Sequence, residues 1–260
     1  MGGAIELDLL DLVWSLGIMA IAVALSNWQR LDLEGQLIVA TGRSLFQLLA
    51  VGYVIAAIFE LNHPLPVLLL LGVMLTIATQ VTRNRISQKI QGLFPLVWVS
   101  LLVSSGLTLS YVLVLIIQPN TWYSPQYIIP LTGMILGNAM NSGSLSGERL
   151  LKTMSHNQRE VETYLCLGAT PAEAIAGYRK EAIRVSLIPT LNQMMVVGMV
   201  SLPGMFTGQV LAGNNPLNAA SYEILILFMI MLTNILTAIL VTEGVYRRCF
   251  NEQAQLVINN

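Results

Sequence analysis

The sequence predicts an all-α, polytopic membrane protein of about seven transmembrane helices, with its N-terminus outside and its C-terminus in the cytoplasm. Three observations carry this expectation. The chain is 55% hydrophobic and 10% charged, with a mean hydropathy of +0.68, whereas globular chains carry about 25% charged residues. Several apolar runs approach the ~20 residues that cross a bilayer as helix, and period-two alternation, the mark of a β-barrel, is absent. Finally, alternation of the runs places all 13 Lys and Arg residues on one face. They are Arg30, Arg43, Arg83, Arg85, Lys89, Arg149, Lys152, Arg159, Arg179, Lys180, Arg184, Arg247 and Arg248. The other face receives Glu6, Asp8, Asp11, Glu60, His63 and Glu223, so the positive-inside rule sets the orientation.

The first span is read at 9–26 and runs inward. The acids Glu6, Asp8 and Asp11 precede it where a secretory signal would carry basic residues, so it is expected to be retained. An amphipathic link at 27–36 leads to the second span at 37–59, and a tight outer turn, 60–64, leads to the third at 65–81. A basic loop, 82–91, precedes the fourth span at 93–117. The outer loop that follows contains Trp122 and Tyr123, residues suited to the membrane interface. The fifth span, 127–140, runs on into a Gly/Ser/Asn-rich stretch, 137–147, read as a weak helix that hinges or packs closely. A large polar cytoplasmic segment spans 148–184, the sixth span is 185–205, and the seventh is 222–246, stopped by Arg247 and Arg248. The whole chain, 1–260, reads as one membrane domain. Cys166 and Cys249 fall on the cytoplasmic side, where disulfides are rare, and read as apolar fillers. The net charge of −1 and the lack of an aromatic-rich basic patch give no sign of a nucleic-acid partner.

Within the polar segment, 148–167 reads as a helix and Gly168 as its stop. Thr170-Pro171-Ala172-Glu173 restarts a helix: Thr170 as N-cap, Pro171 in the first turn, Glu173 closing a capping box. Residues 162–184 are therefore expected to form a helical hairpin at the membrane surface, either packing on their own bundle or docking a cytoplasmic subunit. In ETYLCLGAT (162–170), Glu162 and Gly168 stand at the spacing of the Glu-Ala-Ala-x-x-x-Gly coupling loop of ABC importer permeases. Thr163 and Tyr164 replace its alanines, and Glu181 stands where its later proline is expected.

Two longer strings, PLTGMILGNAMNSGSLSGERL (130–150) and LPGMFTGQVLAGNNP (202–216), together with ATGRSLFQLL (40–49), resemble the Fet-type iron-export permease family, which includes the plant aluminium-sensitivity permeases. The resemblance implies a multi-pass cell-membrane permease subunit of an ABC exporter. It also implies a separate cytoplasmic ABC ATPase, coupling residues Glu162, Leu167, Gly168, Ala169, Thr170 and Pro171, and a homodimer of this chain in the lipid bilayer. Iron or a related metal is the cargo implied by bacterial members, a nucleotide sugar by plant ones. The sequence holds no GxxxxGK[ST] loop, so no cofactor is expected on this chain; ATP and Mg would sit on the partner, and the chain itself is expected not to be an enzyme.

Gly133-Met134-Ile135-Leu136-Gly137 and Gly204-Met205-Phe206-Thr207-Gly208 form a near-repeat with GxxxG spacing, each after a proline (Pro130, Pro203) and before an amide (Asn138, Gln209). They read either as packing contacts or as a broken-helix gate. Arg43 and Gln47 lie inside the second span and Glu243 inside the seventh, which suggests an intramembrane Arg43–Glu243 pair. Twelve methionines invite a soft-metal reading, notably Met134, Met140, Met194, Met195, Met199 and Met205, but Met is also common helix filler. Glu60 and His63 at the outer turn could touch a departing cation or simply form a polar turn. A secondary transporter would need acids at mid-bilayer, and a non-transporting scaffold would not need the glycine- and proline-broken spans.

Overall fold

A computed structural model describes residues 9–61, 63–88, 90–119, 121–251 and 255–256. Glu6, Asp8 and Lys89, which entered the charge argument, lie outside the described residues. Helix α1 (Leu9–Trp28) turns through Arg30 and Asp32, both at positive φ, into α2 (Glu34–Leu61). Ser26 donates to the Glu34 carboxylate across this turn (2.9 Å). Helix α3 (Pro64–Ile86) starts under a His63 cap, whose Nδ1 accepts the Leu65 N–H at 3.3 Å, with Pro64 in the first turn. Helix α4 (Leu93–Tyr111) continues as a π-helical stretch, Val112–Ile117, so the fourth span is not the uniform α-helix expected.

Helix α5 (Pro125–His156) is the central post and packs on α3 and on α10 (Pro216–Cys249). It ends at Asn157, whose side-chain amide donates to the Thr153 carbonyl (2.9 Å). The helix expected over 148–167 is therefore two: the end of α5 and a separate α6 (Gln158–Cys166), because an Asn that bonds its own preceding turn competes with helix propagation. Next come α7 (Pro171–Ala174) and α8 (Ala176–Val196), the latter also packed on α5 and α10. The stretch read as a continuous sixth span is also divided. Residues 197–203 leave the helix, Gly198 takes φ +82, and α9 (Gly204–Leu211) begins after Pro203. Proline disfavours helix at the residue before it, and glycine supplies the left-handed backbone.

Among the described residues there is no strand, only two isolated bridges. Four helices are long and apolar enough to cross a membrane: α2, α3, α4 with its π-helical extension, and α10. Val13–Trp28 is a shorter apolar helix. The first two helices pack chiefly on each other, and Ile58 is the one buried residue described in α2; the exposed apolar surface of these two helices is what a lipid solvent covers.

The Gly/Ser-rich stretch of α5 is unbroken helix and acts as a packing seam, not a hinge. Ser142, Gly143, Ser144, Ser146 and Gly147 are all buried. A Cβ at Gly147 would come within 2.5 Å of Ile86 Cδ1, and one at Gly143 within 3.0 Å of Thr237 Cγ2. The GxxxG spacing that brings helices together is thus 143/147. Along α10 runs a ladder of buried hydroxyls and an amide that ties it to α4 and α8: Ser104 with Thr237 (2.7 Å), Thr233 donating to Thr108 (2.9 Å), and Asn234 donating to Thr190 (2.9 Å). In a chain without interhelical apolar driving force, such bonds and close backbone approach hold helices together.

Candidate functional site

The hairpin from α6 to α8 is built from local chemistry and then anchored. Gly168, at φ +92, ends α6 in a Schellman turn: its N–H bonds the Leu165 carbonyl (3.0 Å) and the Ala169 N–H bonds the Tyr164 carbonyl (3.0 Å). Thr170 then caps α7 reciprocally with Glu173. The Thr170 N–H donates to the Glu173 carboxylate at 2.8 Å, and the Glu173 N–H donates to the Thr170 hydroxyl. These bonds from the Thr170 hydroxyl and N–H hold the Glu173 carboxyl below its ordinary value. On either side of the turn, Val161, Ala174 and Ile175 are buried in one apolar cluster with Leu150 and Met154 of α5 and Val241 and Val245 of α10. Burial, and then the neighbouring Glu160 carboxylate, push the Tyr178 hydroxyl up to about 12. The tip itself is open: Glu162, Gly168 and Thr170 are exposed and Leu167 is 79% exposed. Pro171 and Ala169 are half-buried, and Gln158 donates to Glu162 (2.8 Å). The geometry is an exposed knob whose base packs on the bundle's main post.

The charge paired with Glu243 is Arg179, not Arg43. Arg179 Nη1 lies 2.7 Å from Glu243 Oε2, and Arg247 Nη2 lies 2.7 Å from Oε1, so both carboxylate oxygens carry cations. Tyr246 also donates its hydroxyl to Glu243 (3.0 Å), and its ring lies under the Arg179 guanidinium at 5.8 Å. Arg43 and Gln47 are exposed on α2, which stands at the edge of the bundle, and among the described residues no ion pair joins Arg43 to Glu243. The expected pair fails because neither span boundaries nor depth reveal which helices are neighbours.

At the opposite end of the bundle, a cleft of about 390 Å³ opens between α5, α9 and the start of α10. It gathers Pro130 from the first near-repeat and Met205 and Gln209 from the second, with Gln126, Asn214 and Tyr222 among its other lining residues. Pro130 has no N–H for the Gln126 carbonyl, which frees a backbone acceptor beside the cleft. The near-repeat residues also serve the bundle. Asn138 donates to the Met134 carbonyl of its own helix (2.9 Å), and Met134 and Met205 both pack on an apolar cluster with Ile135 and Ile226. A Cβ at Gly133 would meet Met74 Cε at 3.3 Å, whereas Gly137, Gly204 and Gly208 have open space. Of these four glycines Gly133 alone abuts a neighbouring helix, so the repeated spacing itself does not mark a helix–helix seam.

His63 has a capping role, and Glu60 is exposed nearby. Among the described residues no group of three or more His, Cys, Asp or Glu side chains is arranged to hold a metal ion. Met140 packs on the main core, while Met195 and Met199 are exposed. Sequence reasoning missed the Arg179 latch, the hydroxyl ladder and the burial of Glu223. Only the last had a signal, an acid inside an apolar run.

These features define an α-helical, multi-pass membrane protein with an exposed polar knob at one end and an uncharged cleft at the other. Comparison with known proteins places it more narrowly. The profile described as "Uncharacterised protein family (UPF0014)" matches residues 9–250, and the chain belongs to that family. It is 59% identical to the UPF0014 membrane protein slr1647 of Synechocystis, over 98% of each chain. It is 34% identical to the probable iron export permease protein FetB of Escherichia coli, over 95% of this chain and 94% of that one. With the protein ALUMINUM SENSITIVE 3 of Arabidopsis thaliana it shares 32% identity over 84% of this chain and 78% of that one. No solved structure matches.

Proposed function

We propose that this chain is the permease subunit of an ATP-driven ABC exporter, with about seven spans, an outer N-terminus and a cytoplasmic C-terminus. In this reading all of 1–260 is one transmembrane domain, α1, α5 and the divided α8/α9 pair supply the spans beyond the four most apolar helices, and two copies form the transport unit. The observation that carries the proposal is the knob at Leu167–Thr170, open at its tip and locked at its base into α5 and α10. A surface that is both exposed and packed at its base on the central helices suits a cytoplasmic ATPase that must push on the bundle. ATP and Mg belong to that partner, and the chain itself is not an enzyme. The identity with a probable iron export permease supports iron or a related metal as cargo.

A second reading, export of an organic solute such as a nucleotide sugar, is favoured by the amide- and phenol-lined cleft and by the lack of a metal-binding group among the described residues. Co-expression with a candidate ATPase and ATPase assays in nanodiscs, with and without Fe²⁺ and with Glu162 and Gly168 substituted, test both. Stimulation by iron that the hairpin variants abolish supports the exporter and its cargo. A stable complex indifferent to iron moves the cargo to the organic class, and no complex refutes the ABC reading.

A further inference from the structure

The break between α8 and α9 leaves a second cavity, of about 410 Å³, bounded by Gly198, Leu202, Phe206, Ala220 and Leu227. Into it faces Glu223, the one ionisable residue of its lining. Glu223 is 6% exposed, and its Oε2 has no hydrogen-bond partner. The polar neighbour of the carboxylate is the Phe206 backbone amide in the first turn of α9. Among the described residues no Lys, Arg or His forms an ion pair with it. Within the 197–203 segment the Ser201 hydroxyl is also buried without a partner. A buried, half-satisfied carboxylate in an apolar run is costly, and the ordinary remedy, a cationic side chain, is missing.

We infer that the α8–α9 break and Glu223 form a binding site for an organic ammonium cation with an apolar body. One free carboxylate oxygen suits a single positive charge. The aliphatic walls suit an apolar scaffold, and the Phe206 ring offers a cation–π face. A bare divalent metal does not fit, since it needs several oxygen, nitrogen or sulfur donors and this lining supplies one carboxylate. The unwound 197–203 backbone is what makes the room: non-helical chain at membrane depth persists where it lines a cavity.

Binding at this site needs neither ATPase nor transport, so it stands or falls separately from the exporter reading. The test uses the full-length chain in nanodiscs with ethidium as probe, read by fluorescence anisotropy. Glu223→Gln keeps the shape and an acceptor for Phe206 while removing the charge. The expected result is saturable binding by the wild type and about tenfold weaker binding by this variant at unchanged melting temperature. Equal affinity, or no saturable binding by the wild type, overturns the site and leaves Glu223 as a cap for α9. Should Glu223→Gln fail to fold, Ala220→Leu decides, because it fills the cavity and keeps the carboxylate: lost binding supports the site and retained binding overturns it.

Discussion

Arg179 and Glu243 meet in a 2.7 Å ion pair that ties the helix leaving the surface knob to the C-terminal end of α10. Both side chains are about 30% exposed or less, at 27% and 30%. They are shielded enough for the pair to matter and wet enough that its worth stays modest. Arg179 also donates to Thr242 (3.3 Å), so the latch grips α10 at two points. A double-mutant cycle with Arg179→Ala and Glu243→Gln should give a coupling energy of about 1 kcal/mol in thermal or denaturant unfolding. A value indistinguishable from zero would show that the latch is decorative.

The knob offers a cleaner separation of docking from folding. Leu167 is 79% exposed and contributes nothing to the core. Under the proposed exporter reading, Leu167→Asp should leave the melting temperature within about a degree while weakening binding of the proposed ATPase partner about tenfold, the loss typical of an apolar contact at an interface. Affinity measured by titration of the partner onto nanodisc-embedded permease checks it. Undiminished binding would move the docking surface elsewhere.

Gly168→Val tests the turn by a different route. At φ +92 a β-branched residue is strained by about 1–2 kcal/mol, although no neighbouring atom obstructs its Cβ. Faster hydrogen exchange of the amides of residues 168 and 169, with the core amides unchanged, is the expected signature. Slowed or equal exchange would contradict the Schellman assignment.

Acid should open the same knob. Glu173 is held below its ordinary value of 4.5 by the Thr170 hydroxyl and N–H. A carboxyl whose folded value is depressed contributes stability above the unfolded value and loses it as pH falls through the folded one. The capping box therefore stabilises α7 at neutral pH and fades below about 4.5. Glu173→Ala should speed exchange in α7 about twofold at pH 7, where the carboxylate accepts from the Thr170 N–H and hydroxyl, and make less difference at pH 3, where that carboxyl is protonated. An equal effect at both pH values would show that the reciprocal bond to Glu173 is unimportant.

In the bundle, Gly147→Val should destabilise by about 1–3 kcal/mol, because its side chain would enter space held by Ile86 and Val241. Gly204→Val, with open space around it, should cost little by comparison. Melting temperatures of the two variants in one detergent settle the ranking, and the reverse order would refute the seam.

How much of this was legible beforehand differs by feature. The Gly168 stop and the Thr170–Glu173 box were readable because each is complete within a few residues, and backbone chemistry at that range leaves few alternatives. The seam was half legible. A small-residue stretch announces close packing, but 133/137, 143/147 and 204/208 share the same spacing, and only neighbouring helices distinguish them. The Asn157 break was missed because one side-chain bond overrode a periodic pattern.

By itself, the sequence determined that this chain is helical, apolar and membrane-spanning, and where its surface knob begins and ends. Those are consequences of transfer free energy and local hydrogen bonding, which depend on runs and near neighbours. Tertiary structure alone decided that Glu243 answers to Arg179, that Glu223 is buried beside a cavity, and that Pro130, Met205 and Gln209 share one cleft. Those facts depend on which helices stand side by side, and lipid-facing and protein-facing apolar surfaces look alike in sequence because the bilayer is as apolar as the core.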